Sequence, residues 1–170
     1  MELPRFAVFI FALVLPFSVF AQEEKNKSEF ILTGYCTADD MIRIQATSEW
    51  YVPGYAGYTP DAAVTEGLKK YSGEQITFTV IMGIWCSDSR EHVPRFFKVI
   101  DEAGFSRDDV TMIAVDRKKT AEGIDLTYFS FVKIPTIIIY KDETELGRII
   151  ETPAESVESD LLNILNSKNR

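Results

Sequence analysis

Ile76-Thr77-Phe78-Thr79-Val80-Ile81-Met82-Gly83-Ile84-Trp85-Cys86-Ser87-Asp88-Ser89 is the stretch whose reading decides the fold. The run from Gln75 to Met82 is apolar and rich in β-branched residues, which predicts a strand. From Ser87 to about Ala103 the apolar positions Val93, Phe96, Phe97 and Ile100 recur at three- and four-residue spacing, which predicts a helix. A cysteine therefore stands where a strand hands over to a helix. The first N–H groups of a helix have no intrahelical partner and the macrodipole is positive there, so a thiolate is favoured at that place. A redox motif of this shape usually reads C-x-x-C. Position 89 is Ser instead, which can donate a hydrogen bond to a thiolate but cannot form a disulfide. Ser89 lies one turn along on the same side as Cys86, so a hydrogen bond to the sulfur is expected. Arg90 points the same way, either as an added positive charge or as a solvated side chain. Asp88 suits a helix start but opposes thiolate formation. His92, the only histidine, is about 240° around the helix from Cys86 and is expected to face elsewhere.

Working outward, Val110 to Val115 reads as a second buried strand and Thr120 to Phe131 as a helix. Thr136 to Tyr140 and Leu146 to Glu151 read as a hairpin across Lys141 to Glu145. Ala154 to Asn166 closes the chain as an amphipathic helix with Leu161, Leu162 and Leu165 inward. A strand-helix-strand start with an antiparallel finish predicts an α/β fold, a mixed central sheet flanked by helices. Before this core, Phe30 to Thr33 is a candidate edge strand and Asp39-Asp40 opens a short helix. Tyr51 to Tyr58 reads as an aromatic loop punctuated by Pro and Gly. Thr59-Pro60 reads as an N-cap with proline at the first helical position, beginning a helix that runs through Lys70 and ends near Gly73.

The N-terminus reads as a signal peptide over residues 1–21: Arg5 supplies positive charge, Phe6 to Phe20 is almost unbroken apolar sequence, and Val19-Phe20-Ala21 precedes a cleavage point at Gln22. A permanent membrane anchor is not expected, because about fifteen helical residues reach only about 22 Å against a hydrocarbon core of about 30 Å. Leu32-Thr33-Gly34-Tyr35-Cys36 is not a lipidation box, since Tyr35 intrudes and Cys36 lies far beyond the apolar stretch. Residues 22–58 are assigned as a linker and N-terminal extension and 59–170 as the main domain. The 170 residues suffice for one core, and a net charge of −8 with a pI of about 4.7 argues against a nucleic-acid partner. The one basic run, Arg117-Lys118-Lys119, reads as a solvated loop.

Three separated features belong together: the strand ending in Trp85-Cys86, Pro94 eight residues after the cysteine, and Val132-Lys133-Ile134-Pro135-Thr136 followed by the strand Ile137 to Tyr140. They resemble the thioredoxin-like superfamily, in particular its exported bacterial members, and the last is similar to the family's cis-proline loop. Together they span roughly residues 72 to 168. The resemblance implies a thioredoxin-like fold, a catalytic group of Cys86, Ser89 and Pro135, substrate contacts from Trp85, Ile134 and Thr136, and a periplasmic or secreted location. It departs from the family pattern at three places: Ser89 replaces the resolving cysteine, Val80 stands where thioredoxins carry a buried acid, and Met112 stands at the nearby lysine position.

The function implied is thiol-disulfide exchange by a single nucleophilic cysteine, with a protein or small-thiol disulfide as substrate and an external thiol as donor. The alternative is a thioredoxin-fold binding or chaperone module without turnover. Cys36 is open between core packing, a stable disulfide with Cys86, and a distant resolving thiol. No cofactor or metal is expected: two cysteines and one histidine are too few for a zinc site, and no phosphate-binding glycine loop is present. A peroxiredoxin site is excluded, because Thr79 and Gly83 occupy the positions where it requires proline and threonine.

Overall fold

The computed structural model describes residues 30–167. The expected signal peptide, and the linker up to residue 29, lie outside the described residues. In chain order the elements are β1 (Gly34–Cys36), α1 (Ala38–Arg43), α2 (Gln45–Gly57), α3 (Ala62–Lys69), β2 (Ile76–Met82), α4 (Ser87–Ala103), β3 (Val110–Ala114), β4 (Thr136–Lys141), β5 (Thr144–Ile150) and α5 (Val157–Ser167). Short 3-10 turns occur at Arg107–Asp109 and Thr127–Phe129.

The five strands form one mixed sheet in the order β1-β3-β2-β4-β5. β2 and β3 run parallel, and every other pairing is antiparallel. This is the α/β arrangement expected of a thioredoxin-like fold. Alternation along the strands divides the core by face. Phe78, Val80, Met82, Met112, Ala114, Ile137 and Ile139 pack with residues of all five helices. Ile81, Ile113, Val115 and Ile138 pack on the other face with Ala121 and Ile134. The strand β2 is buried on both faces except at Thr77, which explains why its sequence reads as a continuous apolar run.

Helix α4 buries Val93, Phe96, Phe97 and Ile100, and Phe96 meets Phe78 edge-on at 5.3 Å between ring centroids. It ends on Gly104 in the left-handed region, φ +83°, where a side chain would be strained.

Four readings of the sequence are corrected. The segment 51–58 is not a loop: residues 51–57 are the second half of α2, and Tyr58 is its C-cap. A proline inside a helix costs about 3 kcal/mol, yet Tyr51 is buried against Phe97 and the Tyr55 hydroxyl donates to Asp101 at 2.7 Å, so tertiary contacts override the punctuation. Next, the helix cap is Asp61, not Thr59: its carboxylate accepts from the N–H groups of Ala63 and Val64, both at 2.9 Å. The third correction concerns 120–131, which forms no α-helix. There Asp116 and Asp125 accept hydrogen bonds from nearby backbone N–H groups, an alternative to helical pairing, and the chain makes an isolated bridge at Ala121 and Ile124 before the 3-10 turn. The edge strand also begins later than Phe30 to Thr33, at Gly34.

Residues 34–57 share one core with the rest: Cys36, Ala38, Met41 and Tyr51 belong to the helical-face cluster. The connection from α2 to α3 is tied to α5 by Glu158. Its nearly buried carboxylate accepts from the Tyr58 hydroxyl at 2.6 Å and the Asp61 N–H at 3.0 Å. Burial alone would raise the Glu158 pKa, but those hydrogen bonds outweigh it and hold the carboxyl below its ordinary 4.5. Because the folded value is the lower one, this stabilisation is complete above the unfolded value and is lost as pH falls through the folded value. Glu158→Ala should cost about 1–3 kcal/mol at neutral pH, since two donors lose their acceptor. Glu158→Gln should flatten the acid-induced loss of stability below pH 4.5. Urea titrations at neutral pH and near pH 3.5 check both, and an acid loss identical to that of the unaltered chain would remove Glu158 from the account.

Candidate functional site

Cys86 is the N-cap residue of α4, in extended backbone with φ −87° and ψ 126°. Its N–H donates to the Gly83 carbonyl at 2.9 Å and its own carbonyl accepts from Arg90 N–H at 3.0 Å, so the turn from β2 into α4 is closed on both sides of the sulfur. The side chain is half-buried and free of any disulfide. Its thiol lies 3.4 Å from the Ile134 carbonyl oxygen, a donor-acceptor contact across a sequence gap of 48 residues. The Ile134–Pro135 peptide is cis. The two motifs read from the sequence are thus brought together at the end of the sheet.

Around this pair, each neighbouring residue has a defined task. The Trp85 indole N–H donates to the Val115 carbonyl at 3.0 Å, which fixes the ring over the end of β3. The Thr136 hydroxyl donates to the Lys133 carbonyl at 2.7 Å and is buried, so it closes the loop rather than facing outward. Ile134 buries its side chain while presenting its carbonyl to Cys86. Ser89 is fully buried, and its oxygen accepts from Gly83 N–H at 3.2 Å. The hydrogen bond expected between Ser89 and the Cys86 sulfur is not what holds this hydroxyl: Ser89 satisfies the backbone of the strand-to-helix turn. The Arg90 Nε donates to the Ile84 carbonyl at 2.6 Å, which makes it a brace of the same turn.

Gly83 is the residue that sequence reasoning missed. A Cβ there would lie 2.8 Å from Trp85 Nε1 and 2.9 Å from Ile134 Cδ1. Two of the site's side chains can therefore meet over position 83 only because it has none. The available signal was an isolated glycine closing a strand, which marks close approach of another group.

Cys36 is not brought to Cys86. It sits on β1 opposite Met112, which pairs in turn with Val80, and β3 lies between β1 and β2. Two strand spacings amount to about 10 Å, beyond the Cα separation of about 7 Å that a disulfide tolerates. Cys36 is buried, and its thiol donates to the Met112 carbonyl over a long 3.9 Å. Burial pushes its pKa up to about 12, against a smaller lowering by a backbone hydrogen bond from Ala114.

His92 is also buried, and burial lowers its pKa. It lines a cavity of about 340 Å³ with Tyr58, Arg95, Pro153 and Val157, and neither Cys86 nor Pro135 lines that cavity. Among the described residues no cluster of three or more His, Cys, Asp and Glu side chains could hold a metal ion, and no helix is long and apolar enough to cross a membrane.

No protein-family model and no curated protein matches the sequence. Solved structures do resemble the fold. A protein of unknown function from Pseudomonas aeruginosa is similar at a TM-score of 0.56 and 15% identity, over 79% of this chain and 93% of that one. An HIV epitope-scaffold is similar at a TM-score of 0.57 and 16% identity, over the same shares of 79% and 93%. A mutant thioredoxin from Halobacterium salinarum aligns with a TM-score of 0.39 and 12% identity, over 58% of this chain and 79% of that one. At these identities the likeness concerns architecture alone.

Proposed function

We propose that the protein is an exported thiol-disulfide exchange protein in which Cys86 acts alone as nucleophile. The observation that carries this reading is the half-buried Cys86 thiol at the start of α4, 3.4 Å from the Ile134 carbonyl beside Pro135. In the first step the Cys86 thiolate attacks one sulfur of a substrate disulfide: the Cys86 S–S bond forms, the substrate S–S bond breaks, and the other half leaves as a thiolate. In the second, the thiolate of an external low-molecular-weight or protein thiol attacks the substrate's sulfur in that mixed disulfide. It carries the substrate away as a new disulfide and returns Cys86 as thiolate. No cofactor takes part. Export is supported by the charged and apolar N-terminal sequence.

A binding module without turnover is the second reading. It is favoured by the commitment of Ser89 to the Gly83 backbone, and by fully buried Val80 and nearly buried Met112 where an acid and a lysine would assist exchange.

Reaction of the native protein with a small aliphatic disulfide, followed by mass spectrometry of the peptides, tests the proposal. A single adduct on Cys86, reversed by an added thiol and absent from Cys86→Ser, is expected. Iodoacetamide should likewise label Cys86 in the native state and Cys36 only after unfolding, because Cys36 is buried and its pKa is pushed up to about 12. Labelling of Cys86 confined to the unfolded chain would overturn the exchange reading and leave the binding module.

A further inference from the structure

The loop that carries Ile134 and Pro135 is held by a residue far from it in sequence. Strand β5 ends at Ile150, which pairs with Thr136 at the start of β4. The next residue, Glu151, turns into the left-handed region at φ +63°, a conformation that favours glycine and that other residues keep where neighbouring contacts hold them. Those contacts are present. The Glu151 N–H donates to the Pro135 carbonyl at 2.7 Å, so the pairing of β4 with β5 is carried one residue past the strand and onto the proline. The Glu151 carboxylate pairs with Lys133 Nζ. One residue therefore grips the loop on both sides of Ile134, through the backbone at Pro135 and through the side chain at Lys133.

Ile134 has little freedom within that frame. Its side chain is buried, and the Thr136 hydroxyl donates to the Lys133 carbonyl at 2.7 Å, which closes the loop from within. Its carbonyl is the group that meets the Cys86 thiol at 3.4 Å. The pair of Glu151 and Lys133 is too exposed to matter much for folding: the side chains keep 35% and 57% of their accessible surface, and ion pairs of that kind contribute little to stability. Its consequence is local. Lys133 also faces Asp88 on the first turn of α4, so a lysine released from Glu151 has a second carboxylate to approach, and the loop that bears it has a second place to settle.

We propose that Glu151 is a positioning residue for exchange at Cys86: through Lys133 and Pro135 it fixes the place of the proline loop against the sulfur. The inference rests on the exchange reading above and names the residue that sets the geometry of that site without touching the reacting atoms. A disulfide attacked by a thiolate must present its sulfur–sulfur bond in line with the incoming sulfur, so a wall of the site that shifts costs rate while the nucleophile itself is unchanged. A peptide disulfide lies against the loop as it reacts. Iodoacetamide is small enough to reach the sulfur without that support, so the two reagents separate a displaced wall from a damaged nucleophile.

The test reacts the native protein with two reagents, an extended peptide whose one cysteine is held as a mixed disulfide with 2-mercaptoethanol, and iodoacetamide. Glu151→Gln and Lys133→Gln should each slow adduct formation with the peptide by about tenfold, and should change the rate of alkylation at Cys86 by less than about twofold. The double variant should be no slower than the slower single one, because each side chain acts through the other. Glu151→Gly keeps the N–H that meets the Pro135 carbonyl and takes the left-handed turn without strain, so it should unfold near the urea concentration of the unaltered chain and still exchange as slowly as Glu151→Gln. Slow exchange in that variant assigns the effect to the carboxylate and not to the turn. Unchanged exchange in Glu151→Gln, slowing that multiplies in the double variant, or equal slowing of exchange and alkylation would overturn the positioning role while leaving the exchange reading intact. Absence of any peptide adduct on the unaltered chain would overturn the exchange reading, and the positioning role with it.

Discussion

Ser89→Cys should convert a protein with one reactive thiol into a dithiol, with reductase turnover in an insulin assay well above that of the unaltered chain. The expectation comes from the geometry of the first helical turn. Residues three apart on a helix carry Cβ atoms about 5–6 Å apart, near the range a disulfide bridges with small adjustment. Position 89 is fully buried behind Cys86, so the second sulfur would be shielded while the first stays half-exposed. That asymmetry suits an attacking thiol and a resolving one. The substitution removes the oxygen that accepts from Gly83 N–H, leaving sulfur as a weaker acceptor, so a modest loss of stability should accompany the gain. Oxidation should lower the mass by about 2 Da and block alkylation at both positions. If both cysteines remain open to alkylation after oxidation, the turn is not built as a redox motif. Val80 limits how fast the variant can run, because the buried position that would carry an acid lies in an apolar strand between Met112 and Ile137.

Much of this site is legible in the sequence because its parts are local. Trp85-Cys86 ends a strand whose burial forces an apolar run, and the helix after it repeats Val93, Phe96, Phe97 and Ile100 with the period of the face it buries. Ile134-Pro135-Thr136 carries its own chemistry wherever it lands. The hairpin is legible too, although its turn is tighter than the composition implies: Asp142 and Glu143 both take positive φ, +48° and +64°, without a glycine between the strands. What the sequence conceals are outcomes of packing between distant segments. Helix α2 exists because Tyr51 and Tyr55 find Phe97 and Asp101 on α4, and because Gly54 admits the Pro94 ring. A Cβ at position 54 would stand 2.9 Å from Pro94 Cγ. Pro53 and Gly54 look like loop punctuation only when those partners are out of view. The segment 120–131 fails in the opposite direction: its pattern suits a helix, but Asp125 accepts from both the N–H and the hydroxyl of Thr127, and local pairing wins. The partner of Ser89 was equally hidden, since a hydroxyl one turn from a sulfur can as well reach the backbone six residues before it.

The same dependence on close approach makes position 83 the most sensitive point of the site. In Gly83→Ala the new methyl would lie 2.8 Å from Trp85 Nε1 and 2.9 Å from both Trp85 Cε2 and Ile134 Cδ1, distances that real Cβ contacts do not show. Neither neighbour is free to yield. Trp85 is held through its bond to the Val115 carbonyl, and Ile134 is buried one bond from the carbonyl that meets the Cys86 thiol. Relief therefore requires moving the indole off Val115 or the proline loop off Cys86. Overpacking of this kind costs about 1–3 kcal/mol. Displacement of the groups around the sulfur should slow adduct formation on Cys86 by about tenfold. Gly54→Ala is the control, because its Cβ would press on Pro94 Cγ at a similar 2.9 Å but at the contact of α2 with α4, with none of Trp85, Cys86 and Ile134 among the nearest atoms it meets. Both variants should unfold at lower urea concentration, and only Gly83→Ala should lose reactivity at Cys86. Equal reactivity in the two, with equal loss of stability, would mean that the contact of Trp85 and Ile134 over Gly83 serves packing alone. The chemistry of Cys86 would then depend on its place at the helix start and not on the walls around it.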